Sequence, residues 1–169
     1  MKINYIKAAF TAFLAIYGII LTRSVGEGSF LDRVDLIAHE AGHLLFGYLG
    51  QFIGICGGTI GQLLVPAAIA VYFFRRREFY SSTVMLFWIG QNMLNISVYV
   101  KDASVMALPL VSIGGGDAIH DWNYILRTLN ILSWDHTLGN IIYGLGILTM
   151  LVSVLLGFWL SVEREEGDW

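Results

Sequence analysis

His39, Glu40, Ala41, Gly42 and His43 place two imidazoles four residues apart, with a carboxylate beside the first. On a helix, positions i and i+4 lie on one face about one turn apart, so both rings can offer a nitrogen to one metal ion. Zn2+ held by two imidazoles and a third ligand keeps a position open for water and lowers the pKa of that water to about 7. Glu40 is then the natural general base for that water, which is the division of labour that the H-E-x-x-H spacing serves. The motif lies in an apolar run that continues through LLFGYLG. Ionisable groups on a lipid-embedded helix cost about 2.5 kcal/mol or more each, so three within one turn imply a partner such as a metal ion.

The composition supports that setting. The chain has 169 residues, 56% of them hydrophobic and 14% charged, with a mean hydropathy of +0.67. These values belong to an integral membrane protein whose surroundings are a lipid bilayer. A net charge of -3 offers no basic surface for nucleic acid, which is excluded as a partner. Cys56 is the only cysteine, cannot form an internal disulfide, and reads as a packing residue among small and apolar neighbours. Lys2 and Lys7 precede an apolar run that ends at Arg23 without a small-residue cleavage site, so the first segment reads as a retained transmembrane helix.

Spans are predicted from apolar runs of about 20 residues, and breaks from charge and glycine. Residues 4–21 form the first helix, and the charged, glycine-bearing stretch 22–33 an aqueous loop. The second helix runs over 33–53, capped by Asp32 or Asp35, and carries the histidines. Gly54, Gly57, Gly58 and Gly61 then permit a turn or close helix packing. A third helix covers 59–74, kinked at Pro66 and ending at Arg75, Arg76 and Arg77, a cluster that marks a cytoplasmic end. The fourth covers 80–100, and its amides Gln91, Asn92 and Asn95 either glue helices together or orient substrate or a metal ligand. Residues 101–116 contain Pro109 and three consecutive glycines and cannot span as a helix, which suggests a broken or re-entrant segment. Asp117 caps a fifth helix, and the last runs over 137–162 before an acidic tail at 163–169. The expectation is a single all-α domain over 1–169, a polytopic, multi-pass membrane helix bundle with about six membrane helices.

The third metal ligand must come from a short set of residues. Besides His39 and His43 the chain has only His120 and His136, and the carboxylates near apolar sequence are Asp117, Asp121 and Asp135. The segment GGGDAIHDWN is the best second site: one of His120 and Asp121 can bind the metal while the other supports a ligand from behind. Their plainer roles are a helix cap for Asp117 and a solvated surface position for His120. Simple up-and-down counting places His136, not Asp121, on the side of His39. Either the 101–116 segment dips into the bilayer and brings Asp121 to the metal, or His136 is the ligand; the dip also accounts for the broken apolar run.

The segment HEAGHLLFGYLG in this membrane setting resembles the site-2 protease group of intramembrane zinc metalloproteases. The resemblance implies that His39 and His43 bind Zn2+, that Glu40 activates water, and that a later aspartate completes the site. That aspartate commonly lies in an asparagine-proline-aspartate-glycine motif, which is absent here; the nearest counterpart is GGGDAIHDWN, with Asp121 or His120 as ligand. The implied function is zinc-dependent hydrolysis of a peptide bond in a membrane-protein or transmembrane-peptide substrate. The alternatives are a membrane hydrolase of a lipid amide or ester, and a non-catalytic metal-binding membrane protein.

Overall fold

The computed structural model describes residues 2–109 and 119–163. Among these, six α-helices make an all-α fold: α1 (Tyr5–Arg23), α2 (Phe30–Phe46), α3 (Gln51–Arg75), α4 (Phe79–Lys101), α5 (Asp121–Thr128) and α6 (Asp135–Trp159). Single 3-10 turns at Gly47–Leu49 and Leu132–Trp134 lead into α3 and α6. The two-residue strands β1 (Lys2–Ile3) and β2 (Val162–Glu163) pair antiparallel and tie the chain's two ends together. Residues 164–169 of the acidic tail lie outside the described residues.

Among the described residues, three helical stretches are long and apolar enough to cross a membrane, Tyr5–Arg23, Gln51–Arg75 and Leu132–Trp159, against about six expected. The shortfall has a physical origin in each remaining helix. In α4, which has the necessary length, serines and amides dilute the apolar sequence. In α2, 17 residues carry the ionisable site, and α5 has only eight residues.

The boundary between α2 and α3 falls earlier than the sequence suggests. Ser29 caps α2 by accepting the Asp32 N–H while the Asp32 carboxylate accepts the Ser29 N–H, a reciprocal capping box. The chain turns at Gly50, whose φ of +102° is a conformation that favours glycine. Of the two roles open to Gly54, Gly57, Gly58 and Gly61, a turn or close helix packing, the second holds: they lie inside α3 and let it approach α2 closely. A Cβ at Gly61 would stand 2.6 Å from the Ala38 carbonyl oxygen and 2.7 Å from the Gly42 Cα. Pro66 is buried within α3, and the helix continues through it to Arg75.

Up-and-down counting fails because α2 does not return to the end from which α1 started. The Tyr80 hydroxyl donates to the Lys7 carbonyl, and the Lys7 ammonium lies over the Tyr80 ring. With the β1–β2 ladder, this gathers Lys2, Lys7 and the Arg75–Arg77 turn at one end of the bundle. From there α1 runs alongside α4, with Gly18 against Phe87 and Gly26 near Val98. Next, α2 begins beside Gln91 and Asn95 and finishes with Gly47 against Gly54, near the start of α3. The whole of α2 therefore lies in the half of the bundle where α4 ends and α5 begins. Leu14, Leu21, Phe87, Leu94 and Met150 pack together as the apolar core of α1, α4 and α6.

Candidate metal centre

Because α2 stays in that half, its histidines and Asp121 at the start of α5 meet there; residues 110–116 of the segment expected to be broken or re-entrant lie outside the described residues. The Asp121 Oδ2 lies 2.9 Å from the His39 Nε2 and 3.2 Å from the His43 Nε2, and the two Nε2 atoms are 3.1 Å apart. These three side chains form a group able to hold a metal ion. Zinc bonds of about 2.0 Å at tetrahedral angles set ligand atoms about 3.3 Å apart, so the triangle is already near the face of a zinc tetrahedron. His39 and Asp121 are buried, and His43 is partly open.

The hydrogen bonds on the far side of each ring decide which nitrogen carries the proton. His43 Nδ1 lies 2.8 Å from the Gly54 carbonyl oxygen, which can only accept, so Nδ1–H donates and Nε2 keeps its lone pair. His39 Nδ1 lies 3.3 Å from the Gln62 Oε1, and the Gln62 Nε2 donates to the Asn95 Oδ1 at 2.9 Å. Gln62 therefore accepts from His39, whose Nε2 lone pair also faces the centre. With both rings neutral, two lone pairs and a carboxylate oxygen converge, an arrangement that a bound cation would satisfy.

Gly58 keeps this space open. A Cβ there would stand 2.5 Å from the His39 Nε2 and 2.6 Å from the His43 Nε2. Glu40 is half-buried beside the trio, and its charge acts on both His43 and Tyr99. The Tyr99 hydroxyl accepts the Asp121 backbone N–H at 3.2 Å. Its ring lies between His39 and His120, with centroids 6.2 and 4.3 Å away.

His120 is turned away from the trio. Its Nδ1 accepts the Asn123 N–H as the N-cap of α5, which leaves Nε2–H to donate to the Asp102 Oδ2 at 3.2 Å. Both ring nitrogens are thus engaged, so that of the two candidates in GGGDAIHDWN it is Asp121 that meets His39 and His43, while His120 positions α5. Asp102 also accepts the backbone N–H groups of Ala107 and Leu108, and the Asn123 side chain donates to the Ala103 carbonyl. Burial acts to raise the Asp102 pKa, but these N–H groups and His120 bring it below the ordinary carboxylate value. The helix expected from Asp117 begins instead at Asp121, and Asp117 lies outside the described residues. His136 is exposed at the start of α6, outside the trio.

Of the amides on α4, Asn95 reaches the centre through Gln62, whereas Asn92 donates to the Trp88 carbonyl of its own helix. Gly58, Gln62 and Tyr99 escaped sequence reasoning; the available signal was the i, i+4 spacing of Gly58 and Gln62 on one face of α3. Comparison with protein-family models, curated proteins and solved structures returned no match.

Proposed function

We propose that this chain is a multi-pass membrane zinc hydrolase that cleaves a peptide bond within or next to the bilayer. The observation that carries the reading is the meeting of His39 and His43 of α2, the helix that also presents Glu40, with Asp121 of α5, through three atoms about 3 Å apart. His39 and His43 would hold the ion through Nε2 and Asp121 through a carboxylate oxygen. When bound, zinc supplies Lewis acidity, making water acidic enough to attack near neutral pH and polarising a carbonyl. Glu40 takes the proton from that water and delivers it to the leaving amine. Its position on α2, one residue from His39, keeps the base beside the ion without making it a ligand. Tyr99 holds the Asp121 backbone in register, and burial of His39 limits the water that reaches the site.

Purified protein assayed against transmembrane peptides and against lipid amides and esters tests the reading. Peptide cleavage that requires zinc and is lost in Glu40→Gln supports it. Turnover of lipid amides or esters alone would move the substrate class to lipids, and zinc binding without any turnover would remove the enzyme assignment.

A further inference from the structure

A line of side chains leads from the metal centre toward the head of α2. Gln62 faces His39 Nδ1 with its oxygen and donates from Nε2 to the Asn95 Oδ1. Asn95 in turn donates from Nδ2 to the Asp32 Oδ1 at 3.1 Å. The same Asp32 oxygen accepts the Gln91 amide at 2.9 Å, and Oδ2 accepts the Ser29 backbone N–H. Gln62 and Gln91 are buried, at 3% and 2% exposure, so water is not freely available to replace a lost partner.

Direction in such a line is set by the member that cannot reverse. An amide can be turned over to exchange its oxygen and nitrogen, but a carboxylate accepting three N–H groups has no proton to give. Turning Asn95 over would set its oxygen against the Asp32 Oδ1, two acceptors with no proton between them. Asn95 must therefore present its oxygen to Gln62, Gln62 must present its own oxygen to His39, and His39 must carry its proton on Nδ1.

We propose that Asp32 is a positioning residue for the metal centre, acting through Asn95 and Gln62 to keep the His39 Nε2 lone pair on the ion. The inference rests on the metal-centre reading and names what tunes its affinity. Without the carboxylate both amides are free to turn, Gln62 can offer its NH2 to Nδ1, and the proton moves to Nε2, where it blocks coordination. Outer partners of metal-bound histidines typically change affinity on the order of 10- to 100-fold.

The test compares wild type, Asp32→Asn and the double variant Asp32→Asn/Gln62→Glu. An asparagine at position 32 still offers an oxygen to the Ser29 N–H, so the cap of α2 is retained. A glutamate at position 62 accepts the His39 Nδ1–H whatever the amides do. Two quantities are read in detergent-solubilised protein: zinc affinity by chelator competition, and the 15N shifts of the His39 ring in metal-free protein at a pH where the imidazoles are neutral. The expected result is a zinc affinity about 10- to 100-fold weaker in Asp32→Asn with a mixed His39 tautomer, and both restored in the double variant. Unchanged affinity and tautomer in Asp32→Asn overturn the proposal. So does a loss that the double variant fails to restore while circular dichroism shows both proteins folded, because that is the mark of a purely structural role. If wild type takes up no zinc, the metal-centre reading falls. The ring shifts still decide the relay: Nδ1–H in wild type and a mixture in Asp32→Asn sustain it, and any other pattern overturns it.

Discussion

Gly58→Ala adds one methyl group at the point where the account is most exposed. The new Cβ would lie 2.5 and 2.6 Å from the two Nε2 atoms, nearly an ångström inside the 3.4 Å at which ordinary contact begins. Metal sites hold their ligand distances to within about 0.2 Å, so rings displaced by that amount cannot both remain bonded. The helix itself tolerates the change: alanine favours a helix interior over glycine by about 0.5–1 kcal/mol, against an overpacking cost of about 1–3 kcal/mol. The expected outcome is a folded protein, melting within several degrees of wild type, whose zinc affinity falls on the order of 100-fold or more, about 3 kcal/mol or more. Circular dichroism melting and zinc competition on the same preparation measure both quantities. Wild-type zinc affinity in Gly58→Ala would refute the reasoning, because the methyl group would have found room that the centre is said to occupy.

Glu40→Gln is expected to keep its zinc and lose peptide turnover by roughly 10²- to 10⁴-fold, as removal of a general base does; simultaneous loss of the metal would make Glu40 a ligand. His120→Asn keeps a side chain able to cap α5 and is expected to retain one zinc per chain, whereas Asp121→Asn loses it, and metal analysis of the two separates the roles. Asp102 has a lowered folded-state pKa, so its stabilising contribution is present above the unfolded value of about 3.8 and is lost as pH falls through the folded value. Trp122 fluorescence is therefore expected to report loosening of α5 only in acid below that range, and loosening as pH rises from neutral would contradict the assignment. Single cysteines introduced at Arg76 and Gly28 in a Cys56→Ser background are expected to label from opposite faces of the membrane, with Arg76 cytoplasmic, because Lys2, Lys7 and the arginine turn share one end.

The part of the site carried by local spacing was legible in the sequence. His39, Glu40 and His43 declare themselves by one helical turn, and the segment after the glycine run offers His120 and Asp121 together as partners. His120 was indistinguishable from Asp121 at that level, because only the folded chain reveals that Asp102 and Asn123 use both of its nitrogens. The glycines of 54–61 were ambiguous for a different reason: glycine serves turns and close helix contacts alike, and the turn itself needed only Gly50. Counting spans misled because it assumes that every apolar run crosses completely, whereas α2 begins and ends in one half of the bundle. Asp32, Gln62 and Asn95 stand far apart in sequence, and no spacing rule connects them to a histidine.

The most direct measurement is zinc content together with X-ray absorption at the zinc edge on purified wild type, His43→Ala and Asp121→Asn. The account expects one zinc per wild-type chain, bonded to two imidazoles and a carboxylate oxygen at about 2.0–2.2 Å, and little or none in either variant. A folded wild-type protein that takes up no zinc, or zinc whose shell is unchanged when Asp121 is replaced, would contradict it.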